Sequence, residues 1–194
     1  MRSNAFRLLL LISCVVILGG CAVKVQDDYS SYLTNNAGET VFPKVDGEYG
    51  YESSLPTQQH HTVIKSWMAG IANSWEVRFN DILVTTLNSQ DVRNAIHLHP
   101  YVAADSNKIH FNLLRYDFSD GQASIQLQIQ TTLADETTLS QVYTATGQGQ
   151  LGKMFWGGAL AMKNAVQQSS KDAMDKILKA YFQDLSDAVN EAGS

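Results

Sequence analysis

Histidines two apart, a glycine-rich hexapeptide and an aromatic–glycine run are the residues of this sequence whose types and spacing could do chemistry. His97-x-His99, with His110 further on, could begin a metal site, because residues two apart on a strand share a face. A zinc site wants three or four ligands, and the pattern fixes no carboxylate nearby. Solvent-facing imidazoles are therefore the plainer expectation, and no metal is expected. His60-His61 lies in a stretch without periodicity. Gly147-Gln148-Gly149-Gln150-Leu151-Gly152 spells G-x-G-x-x-G, the pattern that cradles a dinucleotide pyrophosphate. That reading needs a parallel strand after the helix with an acidic residue for the ribose, and here the predicted helix runs to the C-terminus. The glycines read instead as a flexible connection from sheet to helix, and no cofactor is expected. Free N–H groups near Gly157-Gly158 could still hold an anion or a partner's carboxylate. Met154-Phe155-Trp156-Gly157-Gly158 sets large apolar residues beside glycines in the same connection. Phe155 and Trp156 either plug the end of the core or, with Gly157 and Gly158, form a partner-binding hot spot. No G-x-S-x-G elbow and no H-E-x-x-H occurs, and Asp117 and Asp120 lack the further ligands of an EF-hand. Asp135-Glu136 reads as solvated charge on a turn tip. The polar residues do not converge, so no catalytic residue and no enzymatic activity are expected.

The N-terminus carries a different chemistry. Arg2 and Arg7 flank the start of an apolar run over about 6–18, which closes with Leu18-Gly19-Gly20-Cys21. A basic opening, a short apolar stretch and small residues before a cleavage point make a secretory signal. The run is too short to span a bilayer, which takes about 20 residues. Leucine, two small residues and cysteine resemble the bacterial lipobox. The resemblance implies that residues 1–20 are removed and that Cys21 becomes a lipidated first residue. Ala22 follows it, and bacterial lipoproteins without Asp there resemble those sent to the outer membrane, facing the periplasm. Of the two cysteines, Cys14 leaves with the signal, so the mature domain is expected to hold no disulfide and no thiol. Removing Arg2 and Arg7 takes 14 Lys+Arg to 12 against 19 Asp+Glu, a formal balance of −7. That acidity, without a basic stripe, argues against a nucleic-acid partner.

The elements that would position these residues follow from periodicity. Residues 21–61 are rich in Ser, Asn, Gly, Asp and Gln and read as a tether leading into an irregular segment or a first edge strand. A single α+β domain is expected over 62–194. Residues 62–67 are a strand or the lead-in to a helix. Asn73 with Glu76 has capping-box character, and Trp75, Phe79, Ile82, Leu83, Thr86 and Leu87 recur at helical spacing. An amphipathic helix is predicted over about 74–88. Short strands follow: one around Ile96 and Leu98, ended by Pro100, one through Ile109, Phe111 and Leu113, and one through Ile125, Leu127 and Ile129. The last alternates with Ser124, Gln126, Gln128 and Gln130, which predicts one apolar face and one neutral polar face. A further strand spans about 139–146. Asp120-Gly121 and 134–137 are turn signals, so these strands form an antiparallel meander. A long helix is predicted over about 159–190, with Met162, Val166, Ser169, Ala173, Ile177, Ala180 and Tyr181 on its apolar stripe and Lys171, Asp172 and Asp175 off it. The N-terminal helix and the long C-terminal helix are expected to cover one face of the antiparallel sheet.

In this order the elements resemble the small periplasmic lipoproteins of the YajG type. They are also similar to the PqiC-like auxiliary lipoproteins of ABC-type lipid transport systems. The residues carrying the likeness are Arg78-Phe79-Asn80-Asp81-Ile82-Leu83, the strands around Asp120-Gly121, and the run from Gly157-Gly158-Ala159 to Asn164-Ala165-Val166. The resemblance implies a non-enzymatic accessory or adaptor in a cell-envelope assembly, held to the outer membrane by its lipid, with an envelope protein as partner. The alternative it implies is a carrier of lipid or cell-wall fragments for a transport system.

Overall fold

The computed structural model describes residues 24–26, 29, 40–68, 71–100 and 107–192. They form an α+β arrangement of two sheets and a long C-terminal helix. The strands are β1 (Lys24–Gln26), β2 (Glu48–Ser53), β3 (His61–Met68), β4 (Ile71–Arg78), β5 (His97–His99), β6 (Asn107–Ser119), β7 (Gln122–Thr132) and β8 (Thr138–Thr146). The helices are α1 (Leu55–Gln59), α2 (Phe79–Leu87), α3 (Gln90–Ala95) and α4 (Leu151–Ala192). One sheet is three-stranded, β1-β4-β3, and the other is five-stranded, β5-β2-β6-β7-β8.

The expected meander is present as β6-β7-β8, antiparallel throughout. Asp120 and Gly121 close its first hairpin with φ of 51° and 73°, the left-handed pair that matches strand twist. Ile125, Leu127 and Ile129 of β7 face inward, and Ile109 and Phe111 of β6 join them in the core. The register slips between Leu113 and Arg115, leaving Leu114 exposed and returning Tyr116 to the inner face. Against this face lies α4, through Met174, Ile177, Leu178, Phe182 and Leu185. Phe79, Ile82, Leu83 and Leu87 of α2 complete the same core.

Several expectations need correction. The helix predicted over 74–88 begins only at Phe79, because Trp75 and Val77 alternate with Ser74 and Glu76 as part of β4. Trp75 lies four residues before Phe79, so the end of a strand mimicked a helical stripe. Asn73 pairs with Ser66 in the β3–β4 hairpin, and the residue at the N-cap of α2 is Arg78. Residues 48–53, expected in an irregular segment or a first edge strand, form an inner strand of the five-stranded sheet, with Tyr49 and Tyr51 buried. β2 runs parallel to both neighbours, so the sheet is mixed rather than wholly antiparallel. The connection drawn over 147–158 is shorter, since α4 starts at Leu151. Within α4, Ala180 is exposed and Lys171 is buried, the reverse of the sequence expectation.

The first glycine of the hexapeptide has a packing role. Gly147 N donates to Ala123 O at 2.8 Å, and Ala123 N donates to Ser169 Oγ of α4 at 2.8 Å. A Cβ on Gly147 would stand 1.8 Å from the Ser169 carbonyl oxygen. The chain thus leaves β8 pressed against the helix backbone, and glycine is needed there for space. Gln150 N then donates to Gly121 O at 3.1 Å, which ties the start of α4 to the first hairpin. Gly147→Ala should destabilise the fold by roughly 1–3 kcal/mol or more, because backbone has to move. Gly149→Ala meets only the Gln122 side chain at 3.1 Å and should cost less. Urea midpoints at unchanged m-value measure both, and a Gly147→Ala variant as stable as the parent would contradict the assignment.

Candidate functional site

With the inner face covered, the alternation of β7 sends Gln126, Gln128 and Gln130 to the other side of the sheet. Their register neighbours there include Asn112 on β6 and Ser140, Val142 and Thr144 on β8. These neutral side chains are linked. Ser54 is the N-cap of α1, and its Oγ donates to Asn112 Oδ1 at 2.8 Å. Asn112 Nδ2 donates to Gln128 Oε1 at 3.3 Å, and Gln128 Nε2 reaches Ser140 Oγ at 3.5 Å. Thr57 Oγ1 accepts from Leu113 N at 2.8 Å and shares a 2.7 Å bond with Ser54 Oγ. Since the Ser54 hydroxyl is spent on Asn112, Thr57 is the donor to Ser54. A relay of neutral polar groups thus crosses the sheet, anchored beside the register slip in β6. It fixes amide orientations on a flat, wet face before anything binds.

One end of that face is charged. Glu52, Lys108, His110, Gln130 and Thr132 line a depression of about 270 Å³. Lys108 Nζ lies 2.8 Å and His110 Nδ1 3.2 Å from the same Glu52 oxygen. The Lys108 hydrogen bond holds the Glu52 carboxyl below its ordinary range; His110 and the positive charge of Lys108 add to this, and burial opposes it. Registers place His97 beside Glu48 and His99 beside Gly50, so the expected imidazoles do share the open face with His110. His99 Nε2 lies 3.9 Å from Glu48. They do not converge: among the described residues no group of three His, Cys, Asp or Glu could hold a metal. His60 bonds to Thr62 Oγ1 at 3.1 Å, and burial, with His61 beside it, pushes its pKa down.

A second concavity lies between α4 and β7–β8. It measures about 260 Å³ and is lined by Thr131, Leu139, Tyr143, Tyr181, Asp184 and Leu185 among others. Tyr143 OH donates to Asp184 Oδ2 at 2.8 Å, and Tyr181 OH shares a 2.7 Å bond with Thr131. Burial raises both phenols far above their usual range, and the Asp184 hydrogen bond raises Tyr143 further. Both stay protonated at neutral pH and can serve only as neutral hydrogen-bonding groups. Sequence reasoning missed this pair, since Tyr143 and Asp184 come from unrelated segments. It also missed the Lys171–Asp175 ion pair on α4, whose side chains are 10% and 13% exposed. Thr40 Oγ1 donates to Asp175 at 2.7 Å, while Phe42 stacks edge-on to Phe182 at 5.6 Å. The pair pins the incoming chain across the helix, a registry role more than a source of stability.

Of the residues singled out in the sequence, Cys21 lies outside the described residues. Phe155, Trp156, Gly157 and Gly158 lie on the backbone of α4, not in a loop. Their side chains are outside the described residues. The G-x-G-x-x-G run starts at the close helix contact of Gly147, follows an antiparallel strand of a meander, and enters α4.

No protein-family model matches the chain, and no curated protein does either. Among solved structures it is similar to the 1.65 Å structure of the hypothetical protein CT253 from Chlamydia trachomatis. The identity is 10%, the TM-score 0.34, and the match covers 74% of this chain and 96% of that one.

The Glu52 cluster gives a titration prediction. A carboxyl whose folded pKa is lowered adds stability that is present above its ordinary value of 4.5 and lost as pH falls through the folded value. The groups are about half exposed, so the pair is worth no more than about 0–1 kcal/mol. Lys108→Met should move the Glu52 titration upward in carboxyl NMR and remove that part of the acid-side slope. An unmoved titration would show that Lys108 does not hold the carboxylate.

Proposed function

We propose that this protein is a non-enzymatic adaptor of the bacterial cell envelope. Lipid on Cys21 holds it to the outer membrane on the periplasmic side, and it binds an envelope protein through the open face of the five-stranded sheet. The observation that carries the reading is that face: neutral at its centre, uncovered among the described residues, and pre-ordered by the Ser54–Asn112–Gln128–Ser140 relay. Amides held in fixed orientations lose less entropy on pairing with a partner. Leu18-Gly19-Gly20-Cys21 supports the anchor. No described helix is long and apolar enough to cross a membrane, so the anchor reading rests on that motif alone.

The carrier alternative needs an enclosed cavity. Among the described residues the hollow beneath α4, about 260 Å³, lies just below the roughly 300–1,000 Å³ of ligand sites.

Two outcomes are expected. Cys21→Ala should leave the protein soluble or unprocessed in cell fractionation, and a variant still acylated and membrane-bound would remove the anchor. A photocrosslinking residue at Gln128 should give a discrete adduct with an envelope protein in intact cells, and one at the exposed Asn164 should not. Equal capture from both positions would remove the open face as the docking surface.

A further inference from the structure

Natural sheets protect their edges with short strands, charges, proline or bulges. Three of the four edges here follow that rule. β1 and β5 have three residues each, β5 is followed by Pro100, and β3 carries the exposed Lys65. β8 does not. Its nine residues contain no charge and no proline, and its pairing with β7 runs without a register shift. Val142 at its centre is 44% exposed. Among the described residues no strand pairs with its outer side, and only Thr146, at one end, gives its carbonyl to Lys176 Nζ at 2.9 Å. The hollow lined by Leu139, Tyr143, Asp184 and Leu185 opens beside this edge. Asp184 accepts the Tyr143 hydroxyl and has no cation within salt-bridge distance among the described residues.

We propose that β8 receives an extended, cationic segment of another protein as an added strand, with a lysine or arginine of that segment entering the hollow to pair with Asp184. The backbone edge supplies affinity in a form that reads no sequence, and the hollow supplies selectivity for charge. Charge also sets aside two other occupants. A second copy pairing edge to edge would bring each β8 with its own Asp184, like against like. The chain's own segment 27–39 contains Asp27, Asp28 and Glu39 and no lysine or arginine. A cationic strand from a partner complements the chain's formal net charge of −5. This edge is distinct from the open face, and it rests on the adaptor reading only in that the occupant is a protein; it does not require the lipid.

The test uses the full-length chain in detergent and a short labelled peptide alternating threonine and valine around one central lysine. Anisotropy should show saturable binding, about tenfold or more weakened when the central lysine is replaced by glutamate. N-methylation of alternate peptide amides should abolish binding, because the added strand then lacks its donors. Asp184→Asn, which keeps an acceptor for Tyr143, should bind the two peptides alike, and β8 amides should become slow to exchange only with peptide present. The proposal is overturned if the lysine peptide does not bind, if lysine and glutamate peptides bind equally to the parent protein, or if N-methylation has no effect. It is equally overturned if β8 is protected without peptide in a concentration-dependent dimer. These results come from purified protein, so they stand apart from any failure of lipidation or of capture at Gln128.

Discussion

The fit of α4 against the inner face of β6-β7-β8 is the constraint on which the rest of the molecule depends. Apolar side chains on alternate positions of three long strands need a cover, and the helix supplies it with a stripe ending in Tyr181, Phe182 and Leu185. The fit is close enough that backbone meets backbone. Ser169 accepts the Ala123 amide at its hydroxyl, Ser170 bonds to Tyr116 at 2.9 Å, and Gly147 leaves no room for a side chain. Hydroxyls at the contact satisfy groups that would otherwise be buried without partners.

Sealing one face determines the character of the other. The outward residues of β7 alternate with the buried ones and are polar, and the relay through Asn112 and Gln128 orders them. The same helix crosses toward β8 without pairing with it, which leaves an edge strand beside a hollow. The open face and the grooved edge proposed to meet partners thus arise from a single packing event. The Lys171–Asp175–Thr40 junction extends the effect to the incoming chain, holding it against α4.

Much of this was legible where local period and burial agree. The strict alternation in β7, the left-handed pair Asp120-Gly121 and the long stripe of α4 each carry their own signal. Legibility failed where two periods overlap. Trp75 and Val77 belong to a strand that passes into α2 at Arg78 without a side-chain cap, so no local mark separates them. Tyr49 and Tyr51 do alternate, but Gly47 and Gly50 dilute the pattern, and parallel pairing on both sides is a matter of topology that no short window records. Lys171 read as a solvated charge because its partner Thr40 is 131 residues away. The candidate surfaces were only half visible: the glutamine face was read from sequence, whereas the Tyr143–Asp184 pair and the unguarded edge emerge from the fold.

The central claim is that partners are met on the sheet side of the molecule, with α4 serving as its fixed back. Hydrogen exchange on the protein in isolated cell envelopes, compared with the same protein purified in detergent, tests this most directly. The account predicts that amides of β8 exchange more slowly in the envelopes than after purification, while those of α4 over 161–191 exchange alike in both. Identical exchange at β8 in the two states, or protection gained on α4 instead, would contradict it.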